Sequence, residues 1–162
     1  MTVDICLDNI KYDVYYISGV KRVQMGIHGG TGCGSYDGVR IELKAKLDQN
    51  YCRTRPYGEF SAGDTLDWTG RQLGNCQIAQ FDPMEEEISL RIKTNRNDKF
   101  CPISVKIILN DQKSTSYLLQ LPNGDWHNID DKHDVTYYAK KKFISVTGNL
   151  TGLSQFLGPN YL

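Results

Sequence analysis

From Val39 onward the chain alternates. Val39, Ile41, Leu43 and Ala45 interleave with Arg40, Glu42, Lys44 and Lys46. Successive side chains of a strand point to opposite faces, so a period of two sets one series against a core and the other in water. The pattern returns at Ile88, Leu90 and Ile92 against Ser89, Arg91 and Lys93. It returns again at Ile103, Val105, Ile107 and Leu109 against Ser104, Lys106 and Asn110, with Ile108 as the interruption. Further strands are predicted over residues 12–17, 20–27, 77–81, 116–121, 135–139 and 142–147, where β-branched and aromatic residues gather. Turn-formers separate them: Pro56-Tyr57-Gly58, Gly63-Asp64, Gly74-Asn75 and Pro122-Asn123-Gly124-Asp125. Only residues 150–157, before Gly158-Pro159, suggest a turn of helix. The expected fold is an all-β, antiparallel Greek-key β-sandwich with little helix, formed by residues 1–162 as one domain.

Composition narrows the classes. A chain of 162 residues with 40% apolar and 23% charged residues is long enough to bury a core of its own. Nineteen basic residues balance nineteen acidic ones, so the cationic excess of a nucleic-acid binder is missing and no nucleic-acid partner is expected. The runs Lys140-Lys141-Lys142 and Glu85-Glu86-Glu87 read as solvated strand ends or turns. No stretch approaches the roughly 18 apolar residues of a membrane span. Met1-Thr2-Val3-Asp4 carries neither the basic nor the apolar region of a signal peptide.

Five cysteines, Cys6, Cys33, Cys52, Cys76 and Cys101, lie 19 to 27 residues apart. Zinc and thioredoxin-like sites need close pairs, so disulfides or buried thiols are the two readings. Two disulfides with one cysteine over allow fifteen pairings, among which spacing does not choose. Asn149-Leu150-Thr151 is an N-glycosylation sequon. Together these features favour an extracellular, secreted glycoprotein.

Catalytic constellations are thin. His28, His127 and His133 fall in predicted loops, and "DWHNIDDKHD" sets the last two around Asp130 and Asp131. No spacing places two of them on one helix face, so a small hydrolase or nuclease is the weakest class. Ser35 directly follows a glycine in "GCGSYDG", which is not the nucleophile elbow. The glycines of "GIHGGTGCGSYDG" precede a strand, whereas a phosphate cradle follows a strand and opens a helix. Loop acids remain, Asp37, Asp64, Asp67 and Asp98, which serve either as turn residues or as calcium ligands. Trp68 in "GDTLDWTG" and Trp126 in "NGDWHN" lie between turn residues. They read as core caps or as contacts for a membrane, glycan or partner.

The order of these pieces resembles the PLAT/LH2 family, the β-sandwich modules attached to lipases, lipoxygenases and polycystins. "RVQMGIHGGTGCGSYDGVRIELKAK" has that family's strand, glycine-bearing loop with Ser35 and Asp37, and alternating strand. "EFSAGDTLDWTGRQLGNCQIAQF" supplies Phe60, Gly63, Asp64, Trp68, Leu73 and Gly74 in the family's order. "EISLRIKTNRNDKFCPISVKIIL" adds Asp98 and Phe100, followed by Ile103, Val105 and Ile107. The likeness covers residues 21–110, with a return near Tyr117 and Trp126, which makes 21–126 a family-like core between two extensions. Gly34-Ser35 replaces the family's Gly-Thr, and Phe100 stands where tryptophan is commoner.

The resemblance implies a non-enzymatic interaction module. Loops at one end would meet a lipid surface or a protein partner, with Asp37, Asp64 and Asp98 as calcium ligands and Trp68 as a contact. Two other readings compete with it. In a lectin-like sandwich, Trp68 and Trp126 would stack on a sugar. In a toxin or defence protein, the sandwich would target a host surface.

Overall fold

The computed structural model describes residues 18–46, 48–94, 99–122 and 135–142, together with the backbone of 127–128. The strand predicted over 12–17, that over 142–147 beyond its first residue, the helix over 150–157, Cys6, Asp98, Trp126, His133 and Asn149 lie outside the described residues. Ten strands occur among the described ones. They are β1 (Val20–Ile27), β2 (Val39–Lys44), β3 (Cys52–Arg53), β4 (Thr65–Thr69) and β5 (Glu87–Thr94), then β6 (Lys99–Phe100), β7 (Pro102–Leu109), β8 (Ser116–Gln120), β9 (His127–Asn128) and β10 (Tyr137–Lys141).

All strand pairings are antiparallel. Eight strands run in the order β3-β2-β5-β10-β8-β7-β1-β4, and β6 pairs with β9 in a separate ribbon. β10 joins the two halves, pairing with β5 through Tyr137–Lys140 and with β8 through Lys140 and Lys141. The chain crosses repeatedly between halves, and their inner faces share one core: an all-β antiparallel sandwich.

Period-two patterning explains the core. Val39, Ile41 and Leu43 of β2, Ile88, Leu90 and Ile92 of β5, and Val105, Ile107 and Leu109 of β7 are all buried. Each such side chain contributes roughly 1.5–3 kcal/mol by leaving water, so a one-residue slip in any of these strands would forfeit several contributions together. Tyr117 of β8 is buried among them, its hydroxyl donating to Glu85 O at 2.8 Å. Burial first, then the carboxylates of Asp82, Glu85, Asp111 and Glu86, hold its phenol above the ordinary tyrosine range.

Two expectations need correction. Residues 77–81 are not a strand: Gly70–Gln77 forms a 3-10 helix, and Phe81 makes only a single bridge to Ser18. The chain turns there because Gly70 and Gly74 adopt positive φ of 54° and 58°. At Gly74 a Cβ would sit 2.3 Å from Arg53 O, so only glycine lets this segment close on β3. Cys76 then reaches Cys52, and the disulfide fastens the helix to β3.

Trp68 is the second correction. It lies on β4 with no exposed surface, not on a loop. Its ring meets Tyr57 edge-on at 5.6 Å, and its indole N–H donates to Arg55 O at 2.8 Å. The alternation Leu66 and Trp68 buried against Thr65 and Thr69 exposed turns the indole inward. Trp68 is a core residue and is unavailable to a membrane, sugar or partner.

Candidate functional site

The glycine-rich segment leaves β1 at Ile27 and returns as β2 at Val39. It is pinned along its length. Ile27 N donates to Asp64 O at 2.9 Å, His28 N to Cys101 O at 2.9 Å, and Gly63 N to His28 O at 3.0 Å. Cys33 is bonded to Cys101, both buried, and Cys101 N donates to Cys33 O at 3.2 Å. Ser35 and Phe60 exchange two backbone hydrogen bonds of 3.0 Å, and Val39 pairs with Tyr57. A Cβ at Gly34 would lie 2.5 Å from Phe60 O. That glycine therefore serves close approach of two backbones, not the cradling of a ligand.

Side chains continue the bracing. Gly30 N–H donates to His28 Nδ1 at 2.9 Å, which makes Nδ1 an acceptor and leaves any proton of the neutral ring on Nε2. Phe60 and Phe100 meet edge to face at 5.6 Å beneath the loop. Asp37 N donates to Ser35 Oγ at 3.0 Å, tightening the turn that holds Tyr36. Tyr36 is 85% exposed, the most exposed large hydrophobic side chain among the described residues. An aromatic held outward on a braced loop loses little further freedom on contact, which favours binding.

Asp37 and Asp64 reach this same end through the Ser35–Phe60 bridge and the turn that follows it. Asp64 Oδ2 accepts from Ser61 N at 2.8 Å and closes its own turn over Gly63, whose φ is 84°. Among the described residues, no three His, Cys, Asp or Glu side chains gather at metal-ligating spacing.

A second cluster, which no local pattern of the sequence signals, occupies the outer face of β3-β2-β5. Glu42 is 2% exposed although it stands in the polar series of β2. Register explains it: Glu42 lies opposite Arg53 on one side and Arg91 on the other. Its carboxylate meets Arg91 at 2.8 Å, and Arg40 and Arg53 at 3.4 Å each. The Arg91 guanidinium also stacks 3.8 Å from the Tyr51 ring centroid. Three guanidiniums thus compensate one desolvated charge, a structural use of arginine.

Beyond the pairing of Cys33 with Cys101, the structure joins Cys52 to Cys76. Two disulfides are the mark of a chain folded in an oxidising compartment. No helix among the described residues is long and apolar enough to cross a membrane.

No family model matches the sequence, and no curated protein matches it. Solved structures do resemble it. The lipoxygenase structure Delta413-417:GS LOX aligns with 85% of this chain at 16% identity and a TM-score of 0.45. Alpha Toxin from Clostridium Absonum aligns with 76% at 15% identity and a TM-score of 0.47. The chain spans 19% of the first structure's length and 32% of the second's.

Proposed function

We propose that this chain is a non-enzymatic, secreted β-sandwich binding module of the PLAT/LH2 kind. It meets a lipid surface, or a protein partner, through the end that carries residues 28–38 and 57–64. One observation carries the reading: Tyr36, 85% exposed, projects from a loop held by a buried disulfide and paired backbone on both sides. The order of sequence motifs supports it, since the family-like loop with Ser35 and Asp37 is the loop that bears Tyr36. Calcium assistance is proposed on Asp37 and Asp64, which approach the same surface. The lectin-like alternative loses one of its two stacking rings with the burial of Trp68.

Co-sedimentation with liposomes, with and without calcium, tests the proposal on the parent chain and on Tyr36→Ser. Binding is expected to weaken about tenfold in the variant, the loss of one partly buried aromatic. Absence of binding in both conditions, or equal binding by the variant, overturns the lipid reading.

A further inference from the structure

The end of the sandwich remote from Tyr36 carries a different chemistry. β7 runs antiparallel to β1, with Leu109 opposite Val20 and Pro102 opposite Ile27. The 110–115 turn therefore lies at the far end from His28 and the glycine loop. An open groove of about 350 Å³ sits beside this turn, lined by Lys106, Lys113, Lys141 and Lys142 together with Ser114 and neighbouring hydroxyl residues. Four lysines line one groove in a chain of zero formal net charge.

Hydrogen bonding sorts these groups. Asp111, the carboxylate of the turn, accepts from Thr115 N at 2.7 Å and Thr115 Oγ1 at 2.5 Å, so it braces the turn. Lys141 Nζ donates to Pro83 O at 2.7 Å. Lys106, Lys113 and Lys142 have no carboxylate partner among the described residues. Ser114 holds a positive φ of 49°, a strained backbone for a residue other than glycine. Its Oγ accepts from Lys21 Nζ at 2.7 Å, which leaves the hydroxyl's own proton to donate. Lys21 thereby adds its ammonium to the turn beside the groove.

We propose that this groove binds a ligand bearing clustered sulfate or phosphate esters. Unpaired like charges repel, and a multivalent anion reverses the sign of that interaction. Lysine suits tetrahedral oxyanions because each ammonium is a point charge with three rotatable donors, needing no planar partner. The volume lies at the lower end of small-molecule sites, room for a compact ligand or a terminal unit of a longer one. The site is separate from the Tyr36 end, so a ligand here and a surface there are bound together without competition.

Isothermal titration with inositol hexakisphosphate and with a heparin-derived tetrasaccharide tests the assignment and tells phosphate from sulfate. Vesicles containing a phosphoinositide form a third arm, for a lipid headgroup as the source of the ester. The expected result is one-to-one binding of at least one soluble probe, weakened by added salt and weakened about tenfold or more in Lys113→Ser/Lys142→Ser. Lys99→Ser, at the other end, is expected to leave that affinity unchanged. The proposal is overturned if neither soluble probe binds by about 1 mM, if the double variant binds like the parent, or if Lys99→Ser loses as much. A phosphoinositide-dependent gain in vesicle binding that the double lysine variant leaves intact would exclude a lipid headgroup as the source of the ester, because binding through Tyr36 belongs to the other end.

Discussion

The arginine cluster on β3-β2-β5 and the lysine groove beside the 110–115 turn are both basic, yet they differ in where their charge is answered. Arg40, Arg53 and Arg91 converge on one buried carboxylate, Glu42, and Arg91 lies over Tyr51 besides. Lys106, Lys113 and Lys142 line a groove without a carboxylate partner among the described residues, and the nearby Asp111 is engaged by its own turn. Planar, weakly hydrated guanidinium suits fixed internal pairing, while a flexible, strongly hydrated ammonium suits a partner that arrives from solution. A basic patch therefore signals a ligand only after its internal counter-charges have been accounted for. The same test assigns Lys140, which pairs with Glu87, to the structure and Lys142 to the groove.

That contrast is open to attack by mutation. The largest effect should come from Cys52→Ser/Cys76→Ser, which releases β3 and Arg53 from the 3-10 helix. For a separation of 24 residues, loop-closure entropy predicts a loss of about 3.5 kcal/mol, read by urea denaturation. An unchanged midpoint would mean that β3 is held without the bridge.

Glu42→Gln comes next, at about 2–3 kcal/mol, because it leaves three guanidiniums facing one another. The value sits below that of a fully buried pair, since Arg53 keeps 66% of its side-chain exposure and Arg91 keeps 25%. A double-mutant cycle with Arg91→Gln should show coupling, and additivity would remove Glu42 as the organising charge.

Smallest should be Lys113→Ser/Lys142→Ser, within about 0.5 kcal/mol of the parent in stability. A rise in stability would itself show that the lysines repel in the empty groove, and a fall beyond about 1 kcal/mol would show a structural role for them.

Much of the fold was legible. β2, β5 and β7 were readable because each carries three or four alternations, interrupted in β7 only by Ile108, and β1 was readable over its whole length. β4 carried the same signal in Thr65-Leu66-Asp67-Trp68-Thr69, but flanking glycines made it look like a turn. The two-residue strands β3 and β6 are too short to have a period. The candidate site was half legible. The glycine loop and Asp37 are marked by composition, whereas Tyr36 between them carries only the weaker signal of an aromatic among loop residues, and its exposure is a tertiary fact. The run Lys140–Lys142 gave no hint of its division of labour, because Glu87 and the 110–115 turn are distant in sequence.

By itself, then, the sequence determined which residues face the core along the long strands, since side-chain alternation is a local property of extended backbone. It also determined the balance of charge and the pool of five cysteines. Tertiary structure alone decided which cysteines meet, whether Trp68 faces water, that Glu42 is buried, and that Lys106 and Lys142 share a groove. Each of those outcomes depends on strand order and register, which bring together residues tens of positions apart, and no local pattern encodes that pairing.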